Sequence, residues 1–372
     1  MTTYDDEGAT NHGTADAQGI DTGRRSLMQR ALGGGAALSL GALGGGLGMA
    51  GPAMAAGGDF PPKHPNWRFV FINHVTTNPF FVPTQYGAKD ACSAFGCSFQ
   101  WAGSQKSVAS EMVNAMNAAI TSKVDGIAIA LVDQHAFNAP VERALEAGIP
   151  VVAYNADVSD NARLGYVGQD LYLAGKALGQ RIASLVDSGD VVGFIATPGQ
   201  LNIQPRLDGA RDAIKESGKN INFHAVASGP TINEEFSRIE AYYVGHQDVK
   251  GMFAVDAGST EGVAKTMAKH GLHKKGVRAG GFDMLPGTLD AIKAGDLDFT
   301  IDQQPYLQGF YTVSELFLYK LSGGLTGPAN INTGLKFVTK DTVDVYLASK
   351  SRFEGNARDQ KIIDRSGPIA TS

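Results

Sequence analysis

The chain has 372 residues, 43% of them hydrophobic and 19% charged, which is enough apolar material for two domains with buried cores. Its net charge of −5 argues against a nucleic-acid footprint. No run after Phe60 is long and apolar enough to span a membrane, and no Cys/His cluster has metal-ligand spacing.

Met1 to Gly23 is polar and poor in large apolar residues, a composition that buries too little to fold alone. Arg24-Arg25-Ser26-Leu27-Met28 follows, then a weakly apolar Gly/Ala/Leu stretch from Ala31 to Ala50. Ala53-Met54-Ala55 then supplies a small-x-small cleavage pattern. The order resembles a twin-arginine export signal, whose apolar core is milder than that of a general secretory signal. An ordinary secretory signal with an incidental Arg pair is the alternative. Residues 1–55 are assigned to the signal, with cleavage near Ala55 leaving a soluble exported chain. The glycine spacings between Gly41 and Gly48 follow no strand, so they do not form a nucleotide loop.

From Trp67 the chain alternates strand and helix signals. Trp67 to Asn73 reads as a strand, and Asn78-Pro79-Phe80-Phe81 as the turn that opens a helix running to Phe95. Ser98 to Trp101 is a strand. Val108, Met112, Met116 and Ala119 recur at helical spacing as a core face. Val124 to Val132 is nearly continuous and apolar, as a buried parallel strand is. A helix from Ala136 to Ala147 ends at Gly148, and the strand Ile149 to Tyr154 ends in Asn155-Ala156-Asp157. Tyr166 to Asp170 reads as a crossover and Leu171 to Val186 as a helix. Asp190 to Ala196 is a strand, and Gln204-Pro205-Arg206 precedes or opens the next helix. Strands Ile221 to Ala227 and Gly251 to Val255 follow, the second ending in Asp256, and then a helix from Ser259 to His270.

Val277 to Phe282 is short, small and apolar, a buried strand ending at Asp283. Pro286 suits a helix first turn, with Leu289 and Ile292 on one face, and Gly295 suits its left-handed end. Leu297, Phe299 and Ile301 then alternate with polar residues, which reads as a strand running to Gln303. A helix from Gln308 to Leu321 and a strand from Leu335 to Val338 complete the regular elements. Ligands of open parallel sheets bind beyond the carboxyl ends of the strands, where Asp283 and Gln303 stand. A carboxylate and an amide there suit a ligand covered in hydroxyls. The plainer alternative is that Asp283 caps the helix after it.

These motifs, G-F-D, a helix ending A-G-D-L, and T-I-D-Q-Q-P, resemble the periplasmic sugar-binding proteins of ABC importers, the ribose-binding type. The resemblance covers most of the chain after Asn66. It implies the type I periplasmic binding fold: α/β, with two similar parallel-sheet domains joined by a three-crossover hinge. The lobes would be 66–169 with 303–332, and 170–302 with 333–348, leaving 349–372 as a tail. By motif match the sugar contacts fall on Asn78, Phe80, Phe81, Asn155, Arg206, Asp256, Asp283 and Gln303. Aromatic rings would cover the C–H faces of a sugar and polar groups its hydroxyl edge. One Phe could instead serve the helix–sheet core, Arg206 could be a surface residue paired with Asp208 or Asp212, and Asp157 could reach the cleft or cap its loop. Three positions depart from the family pattern. Ala130 stands where an Asn contact is usual, and Asn155-Ala156 stand where the ribose type has Asp-Arg, which puts ribose in doubt.

The resemblance implies a monomeric carrier that delivers a small neutral sugar or polyol to a membrane permease, binds no nucleic acid, is not an enzyme and needs no cofactor or metal. Three alternatives are a periplasmic carbohydrate-acting enzyme, a carrier or sensor of a furanosyl signalling molecule, and a sugar-sensing repressor. A repressor would begin with a helix-turn-helix. A glycosidase built on Asp256 and Asp283 would need one raised pKa, whereas Arg206 nearby is expected to depress both. Cys92 and Cys97 bracket a short turn. Export permits a disulfide there with modest entropic gain, and two free thiols fit equally well.

Overall fold

The computed structural model describes residues 60–348, so the signal read at 1–55 and the tail from 349 lie outside the described residues. Two six-stranded sheets organise them. The first is built from β1 (Arg68–Asn73), β2 (Ser98–Gly103), β3 (Gly126–Ile129), β4 (Val151–Tyr154), β5 (Gly165–Gly168) and β11 (Asn330–Asn332). Its strand order is β11-β5-β4-β3-β1-β2, and every pairing is parallel. The second holds β6 (Ser188–Ile195), β7 (Asn220–Ala227), β8 (Gly251–Ala254), β9 (Arg278–Phe282), β10 (Phe299–Asp302) and β12 (Lys336–Val338). Its order is β12-β10-β9-β8-β6-β7, with only β12 antiparallel to its neighbour.

Helices α1 (Val82–Phe95), α2 (Ala109–Thr121), α3 (Asn138–Glu146) and α9 (Pro305–Ser322) belong with the first sheet. Helices α4 (Leu171–Leu185), α5 (Gln204–Glu216), α6 (Ile232–Gly245), α7 (Ala257–His270), α8 (Pro286–Ala294) and α10 (Val343–Ala348) belong with the second. Strands β3, β4, β8 and β10 are buried along their whole length, as covering both faces of a parallel sheet requires. The strand read from the alternation at 297–301 is β10, and its polar members Thr300 and Asp302 are buried too, each bonded: Thr300 Oγ1 donates to Asp283 O (2.7 Å), and Asp302 accepts from Gln304 N (2.6 Å) and the Tyr346 hydroxyl (3.1 Å).

Other expectations shift at their edges. Val124 to Val132 yields only the four-residue β3, because Ala130 to Val132 turn back within the core, where Leu131 N bonds Ala156 O (3.1 Å). Met112, Met116 and Ala119 form the core face of α2, but Val108 is an exposed residue ahead of its first turn. Tyr166 to Gly168 pair as β5 before the chain crosses, and α10 is an element the sequence reading did not anticipate. Cys92 and Cys97 are free thiols.

The chain passes between the sheets after β5 at 169–170, after β10 at 303–304 and after β11 at 333–335. Side chains tie these passages together. Gln169 Nε2 donates to Gly334 O (3.0 Å), Thr333 Oγ1 donates to Gln303 O (2.8 Å), and Thr333 N bonds Gly168 O (2.9 Å).

Two helix pairs cross backbone to backbone at glycines. A Cβ on Gly309 of α9 would overlap the Thr84 carbonyl oxygen of α1, and one on Gly175 of α4 would overlap the Arg206 carbonyl oxygen of α5. Overpacking a filled contact costs roughly 1–3 kcal/mol. Gly309→Ala should therefore lower the urea midpoint of unfolding, and an unchanged midpoint would mean that α1 and α9 lie further apart than described.

Candidate functional site

The carboxyl ends of β1, β4, β8, β9 and β10 converge between the two sheets, and all eight residues singled out from sequence line one cavity there. Asn78 starts the 3-10 turn Pro79–Phe81, its Oδ1 accepting from Phe80 N at 2.9 Å. That bond leaves the amide NH2 available to a ligand. Phe80 and Phe81 meet edge to face at 4.7 Å, and both are buried. Phe81 also packs against Trp101 of β2, so one ring serves cavity and core together.

From the other sheet comes Asp283, with a left-handed backbone (φ 73°). It does not cap α8, whose first residue follows Leu285 without a side-chain cap. Its Oδ1 accepts instead from Gln303 Nε2 at 2.7 Å. Gln303 Oε1 accepts from Gln308 Nε2 (3.0 Å), and Asn155 Nδ2 donates to Gln308 Oε1 (3.2 Å). A line of amides thus connects the strand end at Asn155 (φ 63°) to the carboxylate of Asp283 along the second crossover. Gln304, beside it, also carries a left-handed backbone (φ 55°).

Arg206 sits in the first turn of α5 and is 2% exposed, which dismisses the surface reading. Asp208 pairs with Arg211, and Asp212 accepts from the Tyr172 hydroxyl. The Arg206 guanidinium donates to Val255 O (3.0 Å) and Gln169 Oε1 (3.3 Å) and lies 4.2 Å from the Phe282 ring centre. Its Nε is buried and has no partner among the described residues. Asp256 caps α7, with Oδ1 accepting from Ser259 N and Oδ2 from Ala196 N, each at 2.9 Å. Asp157 bonds Arg163 in its loop and is not in the cavity.

The charge balance differs from the sequence expectation. Burial pushes the Asp283 carboxyl up to about 7, outweighing the pull of Arg206 and Gln303. Asp256 is raised as well, again by burial. Behind it, buried Glu235 is pushed up to about 9 by burial and by the Asp256 charge. Arg206 was expected to depress both aspartates; desolvation in a dry cleft is the larger effect.

Sequence reasoning missed four residues of this region: His74, Asn202, Gln308 and Glu235. His74 directly follows β1, so its place at a strand end was a usable signal. The others reach the site only through tertiary packing.

The comparisons with known proteins follow the same geometry. Residues 69–323 match the model of the periplasmic binding protein domain. The chain is 49% identical over 311 residues to the xylose/arabinose-binding protein XylF of Sulfolobus acidocaldarius, covering 80% of this chain and 76% of that one. It is 25% identical to a D-ribose/D-allose-binding protein of Pseudomonas aeruginosa, over 74% of this chain and 87% of that one. Among solved structures, an ABC transporter solute-binding protein from Burkholderia graminis in complex with D-arabinose aligns with a TM-score of 0.70 at 26% identity, over 77% of this chain and 98% of that one. A carbohydrate transporter protein from Acidothermus cellulolyticus in complex with myo-inositol aligns with a TM-score of 0.68 at 25% identity, over 78% and 99%.

Proposed function

The chain belongs to the periplasmic binding protein family, and from that premise we propose that it captures a pentose-sized neutral sugar or polyol and presents it to the membrane permease of an ABC importer. The observation that carries the proposal is the cavity itself. Two aromatic rings, six amide or carboxylate side chains and one buried guanidinium converge on it from both sheets. Sugar C–H faces fit Phe80 and Phe81, and hydroxyls fit Asn78, Asn155, Asp283 and Arg206. Xylose and arabinose, named for the 49% identical relative, are the first candidates. Asn155-Ala156 in place of Asp-Arg argues against ribose.

Residues 66–169 with 303–332 move as one lobe and 170–302 with 333–348 as the other, and the ligand favours their closure because both contribute contacts. A thermal-shift screen of D-xylose, L-arabinose, D-ribose and myo-inositol tests the function. Ligand at a hundred times its dissociation constant stabilises by about 2.7 kcal/mol, a readable shift. Small-angle scattering should show a monomer that compacts on binding. No shift with any sugar at millimolar concentration would overturn the reading, and an unchanged profile at saturation would overturn closure.

The protein releases its ligand unaltered. Both oxygens of Asp256 are held by backbone donors, which commits it to capping α7 rather than to acid–base work beside Asp283. Chromatographic recovery of the bound sugar checks this. No helix among the described residues is long and apolar enough to cross a membrane. The chain acts outside the cytoplasm, routed by Arg24 and Arg25. Changing both to Lys should leave precursor in the cytoplasm, and normal export would end the twin-arginine reading.

A further inference from the structure

His74 and Asn202 face each other across the cleft. His74 follows β1 in the first lobe, and Asn202 lies in the loop between β6 and α5 of the second. Both line the cavity, and the Asn202 amide nitrogen is 3.2 Å from His74 Nε2. His74 is 5% exposed and packs edge-on against Phe81 at 5.3 Å. Burial lowers its pKa to about 4, so the ring is neutral at physiological pH. A neutral imidazole offers one donor and one acceptor, and an amide offers both.

One of each is consumed in the contact between them. What is left over is the informative part. His74 Nδ1 and Asn202 Oδ1 are buried and have no partner among the described residues. If the amide NH2 donates to Nε2, the remaining atoms are an Nδ1–H donor and a carbonyl acceptor. If the amide is turned over, they are an amide donor and an Nδ1 acceptor. Either assignment leaves one donor and one acceptor, one on each lobe; the two ring nitrogens of His74 point to opposite sides of the ring, so the two orphan atoms meet different hydroxyls of one ligand. Buried polar groups cost stability until they are bonded.

The neighbours of Asn202 tie the two lobes together. Gln200 Nε2 donates to Ser107 O (3.1 Å) and its Oε1 accepts from Ser107 Oγ (2.9 Å). Leu201 N donates to Val132 O (3.1 Å). Three consecutive residues of the second lobe thus hold the first, and only the third of them lines the cavity.

We propose that His74 and Asn202 form a split reader for two ring hydroxyls of the sugar, one on each lobe, and so set which epimer the protein prefers. This rests on the sugar-binding reading and goes beyond the motif residues. A site built to bond a hydroxyl discriminates strongly against a ligand that places it elsewhere, because the site's own groups are then left unpaired.

The test is calorimetric titration of the folded, processed protein with D-xylose and its three single-centre epimers, D-lyxose, D-ribose and L-arabinose. Together they invert each ring hydroxyl in turn. Asn202→Ala and His74→Phe, which keeps an aromatic ring against Phe81, should each weaken the preferred pentose by about tenfold or more. At least one of the epimer ratios should fall by a similar factor. Gln200→Ala loosens closure away from the cavity, so it should weaken all four sugars alike and leave the ratios unchanged. If His74→Phe unfolds, Asn202→Ala alone decides. Wild-type protein that binds none of the four overturns the sugar reading and this inference with it. Wild-type protein that binds, with an Asn202→Ala variant whose ratios are unchanged, overturns this inference alone.

Discussion

Asp283→Ala should weaken binding of the preferred sugar by about tenfold to a hundredfold or more, in a protein that still folds. The side chain is buried at a strand end and bonded only to Gln303 among the described residues, so its second oxygen is free for a ligand hydroxyl. Hydrogen bonds to a charged group contribute roughly 1.5–3 kcal/mol, and each 1.4 kcal/mol is about tenfold in affinity. Calorimetry on the variant measures the loss, and wild-type affinity would remove this strand end from the site.

The same carboxyl makes binding depend on pH. Its pKa is raised to about 7 by burial, so near neutrality it is part protonated without ligand. Sugar hydroxyls donate to the ionised form and draw the pKa down, so binding releases a proton and tightens as pH rises through 7. If only the carboxylate binds, affinity falls by up to about 30-fold between pH 8 and 5.5. Stability of the ligand-free protein runs the other way. A carboxyl raised in the fold contributes stability that is full below its unfolded value of about 3.9 and is lost as pH rises through 7. Asp283→Asn should flatten the binding dependence and reduce that of stability, to which Asp302 and Glu235, also raised by burial, contribute with the same sign.

Arg206→Met should abolish measurable binding and destabilise the protein by about 3–5 kcal/mol at pH 8, the usual cost of removing one partner from a buried charged set. Asp283 and Asp256 would then keep their burial without the cation that offsets it. The sign with pH is specific. Without the guanidinium both carboxyls are raised further, so they take up protons as pH falls, the loss should shrink, and adding Asp283→Asn should restore part of it at pH 8. Denaturant unfolding of the single and double variants at both pH values measures this. A variant equally destabilised at pH 5 and pH 8 would show that Arg206 matters for packing on Phe282 rather than for charge.

The segment from β9 to β10 was readable in sequence because its signals are local: a small apolar strand, Pro286 at a helix start, Gly295 at its end. The eight candidate residues were legible because each sits in a short motif at a strand end or turn, and they line one cavity. β5 and β11 were not legible. Gly-Tyr-Val-Gly and Asn-Ile-Asn carry no pattern until they pair with each other. Asn202 and Gln308 are tied into the site by partners more than a hundred positions away, His74 and Asn155. The direction of the carboxylate shifts was misread for a related reason. Charge neighbours leave a trace in motif spacing, whereas desolvation depends on how completely two lobes exclude water.

The left-handed backbones at Asn155 and Asp283 bear on how this receptor could change its diet. Left-handed geometry costs most L-residues roughly 1–2 kcal/mol, and Asn, Asp and Gly far less. At both positions selection therefore favours a three-letter alphabet: an amide, a carboxylate or nothing. The ribose-type Asp and the Asn155 found here are one step apart within that alphabet. A new sugar preference can be acquired there by a single exchange of charge at constant shape, while any gain in bulk must come from positions such as Ala130, Ala156 and Asn202, whose backbones are not left-handed.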